Sequence, residues 1–301
     1  MTNSIEAVAL GKRYRRRWAL QDCTVAIPAG RVVGLVGANG AGKTTLMHLI
    51  VGLLRPSAGA VTVLGGRPGE GPDQLARVGF LAQDAPLYGT LNVGDHLRLG
   101  RHLNPGWDEA AASSRIDGLG FDLRQRAGQL SGGQRAQLAL TLAVAKRPEL
   151  LLLDEPVAGL DPLARREFLQ SLMESVAEHH LTVVLSSHLL GDVERVCDYL
   201  IVLAAGRVQL AGDVNELLAT HRVLTGPRRD PRSLPGDIEV IEEAHTERQS
   251  TLIVRTETPI VDPAWTVTEL GLEDLVLAYL GQSAAAARPP TSPLNANEGP
   301  T

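Results

Sequence analysis

A glycine-rich segment that contains one lysine has the spacing of a phosphate-binding loop. Gly37, Gly42, Lys43 and Thr44 fit the pattern G-x-x-x-x-G-K-[ST]. In such a loop glycines let backbone N–H groups turn onto phosphate oxygens, the lysine reaches the β and γ phosphates, and the threonine hydroxyl can ligate Mg²⁺. The apolar run at 32–36 predicts a strand before the loop, and the residues after it predict a helix. This context favours a phosphate site over a glycine-rich turn with an incidental lysine.

A second chemical feature is a pair of carboxylates that follows an apolar run. Leu150–Leu153 leads directly into Asp154 and Glu155. A buried strand does not leave two carboxylates uncompensated, so we expect both at its polar carboxyl end, facing a cation or water. Asp154 then suits an outer ligand of Mg²⁺, and Glu155 suits a base that orients an attacking water. Taken alone, such a pair is a structural turn about as often as a site, but the phosphate loop favours a site.

A third segment, Ser131–Gln134, contains two consecutive glycines. Serine followed three residues later by glutamine is the capping-box pattern, which indicates the N-terminus of a helix. Two glycines beside a free helix N-terminus can also form a second anion site. From these residues alone the two interpretations are equally supported.

Lysine is rare in this chain. Lys12, Lys43 and Lys146 are the only lysines among 29 basic residues. We expect Lys12 in a solvated loop and Lys146 at a helix C-terminus. Lys43 instead suits a narrow phosphate site, in which a planar guanidinium would fit badly.

The composition is that of a globular protein. Of 301 residues 44% are hydrophobic and 21% are charged, and the formal net charge is −5. This length predicts two domains. Two cysteines exclude a disulfide scaffold, and we expect Cys23 and Cys197 to be reduced core residues. The slightly acidic balance gives no reason to expect a nucleic-acid partner. No signal peptide or transmembrane segment is predicted.

The apolar pattern predicts an α/β fold. The predicted buried parallel strands are 32–36, 78–82, 150–153 and 182–185, and the predicted half-exposed antiparallel strands are 5–10, 23–27 and 60–64. The predicted helices are 43–54, 93–102, 108–119, 131–147 and 214–218. The region from about 84 to 145 lacks strand patterns, so we expect it to be a helical subdomain.

The C-terminal part predicts a separate small unit. We expect the main domain to span 1–222 and a proline-rich linker to span 223–237. Two alternating segments and a helix from about 268 to 280 predict an α+β appendage over 238–281. The remaining residues, 282–301, are predicted to be disordered.

Several segments together resemble one protein family. GANGAGKTT, LSGGQRAQLALTLA, LLLLDEP, GLDP and SSH stand in this order along the chain. They resemble the nucleotide-binding domains of the ATP-binding cassette (ABC) family over residues 1 to about 220, and LSGGQ at 130–134 is highly specific. The resemblance implies a P-loop NTPase of ABC ATPase architecture, with a parallel core sheet, an antiparallel β subdomain and an α-helical subdomain. It also implies ATP hydrolysis with Mg²⁺ as cofactor.

The resemblance assigns roles to individual residues. The residues that it assigns to nucleotide binding are Tyr14, Gly37, Asn39, Gly40, Ala41, Gly42, Lys43, Thr44 and Thr45. It assigns Thr44, Gln83 and Asp154 as Mg²⁺ ligands. It assigns Glu155, His188 and Gln83 as catalytic residues. In a head-to-tail dimer the ATP site of one copy is completed by the partner copy's signature, Ser131, Gly132, Gly133 and Gln134, and Asp161 is the D-loop aspartate. Without the resemblance, Trp18 rivals Tyr14, and His188 would be a structural histidine.

The family also implies partners. With one cassette and no membrane spans, the chain is expected to act with a second copy or a homologous ATPase subunit, and with a separately encoded integral membrane permease. It would then lie at the cytoplasmic side of the cell membrane.

Three segments resemble bacterial exporter ATPases for drugs, antibiotics or lipids: GLDPLARREFLQSLM, SSHLLGDVERVCD and ELGLEDLVLAYLG. The alternative is a non-transport ABC ATPase that serves as an ATP-gated interaction module on ribosomes or DNA. Val157 and Ala158 depart from the small polar pair of many relatives.

Overall fold

The computed structural model describes residues 2–228, 234 and 237–286. In chain order the strands are β1 (Asn3–Tyr14), β2 (Arg17–Pro28), β3 (Val32–Val36), β4 (Ala58–Val63), β5 (Val78–Leu81), β6 (Leu150–Asp154), β7 (Thr182–Ser187), β8 (Tyr199–Ala204), β9 (Arg207–Asp213), β10 (His221–Pro227), β11 (Glu239–His245), β12 (Gln249–Arg255) and β13 (Thr266–Glu269). The helices are α1 (Lys43–Ile50), α2 (Gly71–Arg77), α3 (Val93–Leu103), α4 (Glu109–Gly118), α5 (Gly132–Ala145), α6 (Pro162–His179), α7 (Leu190–Val196), α8 (Val214–Thr220) and α9 (Leu272–Ala286).

The central sheet has the strand order β5-β6-β7-β3-β8-β9, and all neighbours are parallel except β8 and β9. Every residue of β3, β6 and β7 is buried, as in strands covered on both faces. The carboxyl ends of the parallel strands meet at one edge, where ligands bind in open α/β sheets. The predicted α/β fold with a parallel core sheet is confirmed.

A separate antiparallel sheet has the order β2-β1-β4. One face of this sheet packs on α1: Ile5, Leu10 and Leu20 share a buried cluster with Leu46 and Leu49 of α1. The strands follow the predicted alternation, but β1 and β2 extend further and form a hairpin that ends at the pair Tyr14 and Arg17. The hairpin lies against the start of α1, since a Cβ at Gly42 would lie 2.8 Å from the carbonyl oxygen of Ala19.

The helical region contains α3, α4 and α5. Val93, Ile116 and Leu138 form a buried cluster of their own among these helices. Leu140, on another face of α5, belongs to the core beneath the central sheet. Since α5 takes part in both clusters, it connects the helical region to the sheet.

The C-terminal region forms a second antiparallel sheet with the order β11-β12-β10-β13. Helix α9 packs against β8, β9 and α7 as well as against β11. Leu275 and Val276 of α9 are fully buried in the same cluster as Val183 and Leu185 of β7. The region is therefore built onto the main core by α9.

Three sequence predictions for this region are wrong in part. The predicted linker at 223–237 overlaps β10, whose residues pair with both β12 and β13. The helix predicted from about 268 begins only at Leu272, because 266–269 form β13. The predicted disordered tail begins too early, since α9 continues to Ala286. Residues 229–233, 235, 236 and 287–301, on which the rest of these predictions fall, lie outside the described residues.

Within the described ranges, no helix is both long enough and apolar enough to cross a bilayer.

Candidate functional site

The glycine-rich loop joins β3 to α1 at the carboxyl edge of the central sheet. A side chain at Gly37 would place its Cβ 2.2 Å from the carbonyl oxygen of Leu203. Only glycine therefore allows the loop backbone to pass this close to the backbone of Leu203. Gly42 caps α1 with a φ of 109°, in the region that glycine adopts without strain. The sequence pattern at these two positions therefore has a direct backbone cause.

Lys43 is buried at the start of α1, with 7% of its surface exposed. Its Nζ donates a hydrogen bond to the carbonyl oxygen of Gly37 at 2.7 Å and lies 3.3 Å from Oε1 of Glu155. A buried ammonium is costly unless it has a partner, and here Glu155 is that partner. The phosphate-loop lysine and the carboxylate after β6 thus meet across the sheet edge.

Besides Lys43, two further groups hold Glu155. Its backbone N–H donates to Oγ of Ser186 at 2.8 Å, and its Oε2 lies 2.7 Å from Nδ1 of His188. The hydroxyl of Ser186 in turn donates to Oδ1 of Asp154 at 2.7 Å, and Asp154 is only 1% exposed. Ser186 is a site residue that sequence analysis misses. Its place just before Ser187 and His188, at the end of a buried strand, points to the site but does not reveal the contact with Asp154.

A cavity of about 410 Å³ opens at this edge. It is lined by Ala19, Ala38, Asn39, Gly40, Ala41, Gly42, Lys43, Thr44, Thr45, Gln83, Glu155, Ala158 and His188. The structure thus brings most predicted nucleotide-binding and catalytic residues to one cavity, although they come from distant parts of the chain.

Tyr14 is not among the residues that line the cavity. It lies at the tip of the β1–β2 hairpin, 47% exposed, with Nζ of Lys12 5.6 Å from the centre of its ring. Ala19, further along the same hairpin, does line the cavity. The hairpin therefore borders the cavity through Ala19, whereas Tyr14 does not line the cavity.

The predicted signature residues also lie apart from the cavity, at the start of α5. Ser131 Oγ accepts from the N–H of Gln134 at 3.2 Å, and Gln134 Oε1 accepts from the N–H of Ser131 at 3.0 Å. This reciprocal pair confirms the capping-box interpretation. Ser131, Gly132 and Gln134 are nevertheless exposed, so the second interpretation, an anion site, stays a prediction.

Asp161 caps α6 in a similar way. Its Oδ1 accepts from the N–H groups of Leu163 and Ala164, each at 3.0 Å. A Cβ at Gly133 would lie 2.8 Å from Cβ of Ala164, which shows how closely the starts of α5 and α6 approach. The predicted signature and D-loop residues are therefore neighbours on one exposed surface.

The residues predicted to hold Mg²⁺ offer oxygen donors. Thr44 supplies a hydroxyl, Gln83 an amide oxygen and Asp154 a carboxylate, which are the ligand types that Mg²⁺ takes. In the part of the chain that the structure describes, no cluster of three or more His, Cys, Asp or Glu side chains could hold a metal ion. This donor set fits an ion that keeps several waters and binds through substrate phosphates.

A larger cavity of about 820 Å³ lies at the opposite edge of the central sheet. Its walls include Arg77, Glu149 and Thr182, from the amino-terminal ends of β5, β6 and β7. Arg77 and Glu149 already pair with each other. Because the site residues lie at the carboxyl edge, this cavity has no part in the site.

A phosphate loop after β3, a carboxylate pair at the carboxyl end of β6 and a histidine after β7 define the site of a P-loop ATPase. The family model described as ABC transporter matches residues 20–158. Thiamine import ATP-binding protein ThiQ of Salmonella choleraesuis (strain SC-B67) is 36% identical over 203 residues, 65% of this chain and 86% of the relative. Nod factor export ATP-binding protein I of Rhizobium johnstonii is 34% identical over 221 residues, 71% of each chain.

Among solved structures, one described as the ATP binding subunit of an ABC transporter matches with a TM-score of 0.64. It is 31% identical, and the match covers 72% of this chain and 92% of that chain. The chain belongs to the family of ABC transporter ATP-binding proteins. The predicted family and its ligand, ATP, are therefore confirmed. One of these relatives is named for import and the other for export, so membership does not decide direction.

Proposed function

We propose that this chain binds and hydrolyses ATP to drive a separately encoded membrane permease, and that the transporter exports its cargo. The observation that carries the ATPase part is the contact of Lys43 and His188 with the two carboxylate oxygens of Glu155. A general base needs a fixed orientation toward the water whose proton it accepts, and these two contacts provide one.

The residues around the cavity would have different roles in binding and hydrolysing ATP. The N–H groups of the loop from Gly37 to Thr45 bind phosphates, and Lys43 exchanges its contact with Glu155 for the phosphate oxygens. Glu155 is then free to orient a water, while His188 holds the carboxylate through Nδ1. Thr44, Gln83 and Asp154 would hold Mg²⁺, which neutralises phosphate charge when bound. Tyr14 would stack on the adenine after the hairpin moves inward.

A second copy would complete each site. Ser131–Gln134 and Asp161 lie on one exposed surface outside the cavity. Exposed N–H groups at the start of α5 suit the phosphates of a nucleotide held by another copy. We propose a head-to-tail dimer with an identical or homologous ATPase subunit.

The permease would dock on the helical region. Tyr88 and Leu103, 64% and 70% exposed, are large apolar side chains of this region. Tyr88 follows Gln83 closely, and its N–H donates to Nε2 of buried His96 at 3.1 Å. A partner that presses on Tyr88 would therefore act near Gln83. This arrangement would place the chain at the cytoplasmic side of the membrane, held there by the permease.

The export part of the proposal rests on the resemblance of GLDPLARREFLQSLM, SSHLLGDVERVCD and ELGLEDLVLAYLG to bacterial exporter ATPases. The relatives include one named for export and one named for import. We propose a drug, antibiotic or lipid-like cargo.

The ATPase role is tested by Glu155→Gln. This variant should bind ATP with unchanged affinity, because Lys43 and the loop remain. Turnover should fall by roughly 10²–10⁴-fold, since the base is lost, and ATP should trap a dimer visible by size-exclusion chromatography. Glu167→Gln, an exposed position on α6, is the control and should behave as wild type. Wild-type turnover in Glu155→Gln would contradict the assignment.

The transport role is tested by purifying the tagged chain from cell membranes in mild detergent. We expect a polytopic membrane protein to copurify and to stimulate ATP hydrolysis. ATP-dependent movement of cargo into inverted vesicles would support export, and movement out of them would indicate import. Recovery of ribosomes or DNA in place of a membrane protein would favour the interaction module.

A further inference from the structure

Arg165 and Asp192 lie on two helices that start directly after site segments. Arg165 lies in the first turn of α6, and its N–H donates to the carbonyl oxygen of Asp161 at 3.0 Å. Asp192 lies in the first turn of α7, which begins two residues after His188. No role was assigned to either residue from the sequence. Helix α6 packs against α7, so the two side chains can connect the D-loop to the histidine segment.

The guanidinium of Arg165 faces both segments. Its Nη2 donates to the carbonyl oxygen of Leu160 at 3.4 Å, and its Nε lies 3.7 Å from Oδ2 of Asp192. Among the described residues, Nε of Arg165 and Oδ2 of Asp192 are buried atoms without a hydrogen-bond partner. The two atoms face each other at a distance too long for a hydrogen bond.

An open pair of this kind is unusual when one partner is buried; here the side chain of Arg165 is 28% exposed and Asp192 is the buried partner. Asp192 is 6% exposed, and a buried charge without hydrogen bonds carries a desolvation cost. Burial raises the pKa of the Asp192 carboxyl, although Arg165, Arg195 and His188 each act to lower it. Charge-assisted hydrogen bonds between nitrogen and oxygen span about 2.7–2.9 Å, so an approach of roughly 0.8 Å would close the pair.

The segment that would move is the loop between Glu155 and Asp161. It is tied at one end by the N–H of Ala158, which donates to the carbonyl oxygen of Glu155 at 3.1 Å. At the other end, Leu160 is tied to Arg165. A displacement of this loop therefore shifts Arg165 relative to Asp192.

We infer that Arg165 and Asp192 are a positioning pair that closes when a second copy presses on the D-loop, and so fixes in the dimer the contact that His188 already makes with Glu155. This inference rests on the proposed ATPase function. Neither residue lines the cavity, so both act through other residues. The alternative is an ion pair that only joins α6 to α7, which would affect folded stability and leave turnover unchanged.

The test uses Arg165→Gln, Asp192→Asn and the double variant of the full chain, assayed for ATP hydrolysis and ATP binding. The controls are Arg166→Gln and Glu194→Gln, exposed neighbours on the same helices. We expect each single variant to lose roughly tenfold or more in kcat, with the KM for ATP and the thermal midpoint close to wild type. The double variant should lose about as much as one single variant, because coupled residues are not additive.

Unchanged kcat in both single variants, with an active wild type, would overturn this inference and leave the ATPase assignment intact. Additive losses in the double variant, or losses that follow a lowered thermal midpoint or a raised KM, would also overturn it. A wild type that neither binds nor hydrolyses ATP would overturn the proposed function, and this inference with it.

Discussion

Glu155 has a backbone φ of 48°, in the left-handed region that non-glycine residues seldom adopt. Such a conformation costs on the order of 1 kcal/mol and persists where the surroundings fix it. Here the N–H of Glu155 donates to Ser186, and its carbonyl oxygen accepts from Ala158. The backbone turn directs the carboxylate away from the end of β6 and toward Lys43 and His188.

The size of the Lys43 site can be tested by Lys43→Arg. The ammonium fits between the carbonyl oxygen of Gly37 and the carboxylate of Glu155, and a planar guanidinium needs more room. We expect ATPase activity to fall by at least about tenfold, equal to roughly 1.4 kcal/mol of transition-state stabilisation. Lys12→Arg, at an exposed hydrogen bond to the carbonyl of Arg55, is the matched control. Full activity in Lys43→Arg would refute the size argument.

Residue types and spacing single out Lys43, Asp154 and Glu155, and the structure places Nζ of Lys43 3.3 Å from Oε1 of Glu155. Ser186 could not be predicted in the same way. Its hydroxyl links Asp154 to the backbone of Glu155 only because β6 and β7 are adjacent. A serine at the end of a strand carries no sign of its partner in the sequence.

At the scale of elements, two helices begin with the same cap but border different surfaces. Ser131 and Gln134 form a capping box at α5, and Asn92 and Asp95 form one at α3. Only the first lies in the predicted signature. The pair of caps therefore offers a way to separate helix stability from a role in ATP turnover.

We expect Ser131→Ala and Asn92→Ala each to lower the free energy of unfolding by about 1 kcal/mol, because each removes an N-cap acceptor. Only Ser131→Ala should also lower ATP turnover. Denaturant unfolding and steady-state ATPase assays on both variants measure the two effects. Equal turnover in the two variants would leave the start of α5 with a capping role only.

His221 connects α8, β10 and α9. It is fully buried, its Nδ1 lies 2.7 Å from the carbonyl oxygen of Leu217, and its Nε2 lies 3.0 Å from the hydroxyl of Tyr279. Burial lowers the pKa of the imidazole below its ordinary 6.5. His221 therefore binds a proton less readily in the folded protein than in the unfolded chain. A falling pH then shifts the folding equilibrium toward the unfolded state.

We therefore expect the contribution of His221 to stability to be present above pH about 6.5 and to be lost as the pH falls toward the lowered pKa. The stability advantage of wild type over His221→Gln, measured by denaturant unfolding, should shrink between pH 7.5 and about 5.5. A pH-independent difference for His221→Gln would contradict a buried neutral imidazole.

Elements with an unambiguous pattern were predicted best. β3 and β6 are apolar on both faces, and that pattern has few alternatives. β10 was missed because Gly226 and Pro227 indicate a linker, whereas its pairing with β12 and β13 lies far away in sequence. The start of α9 was placed too early because Thr268 and Glu269 precede an apolar run without a break before Gly271.

For the whole molecule, α9 decides whether the C-terminal region is separable. A chain that ends at residue 220 would expose the core surface that Leu275 and Val276 cover. We expect this truncated chain to aggregate or to melt well below the full chain. Differential scanning calorimetry compares the two proteins.

A point variant gives the matched measurement within α9. Leu275→Ala should cost about 2–5 kcal/mol of folded stability, as in other fully buried positions. Leu277→Ala, at a side chain 52% exposed, should stay within about 0.5 kcal/mol of wild type. A stable, soluble cassette ending at residue 220 would show that the region is an independent appendage.

The position of β3 between β7 and β8 has a consequence for biosynthesis. Val33 pairs with Val184 and Tyr199, which leave the ribosome long after the phosphate loop itself. Until then β3 has not paired with β7 and β8, so the sheet that positions the phosphate loop has not formed. Pairing between such distant segments slows folding, and a ligand stabilises only the state that binds it. ATP is therefore expected to protect the finished protein without guiding the growing chain.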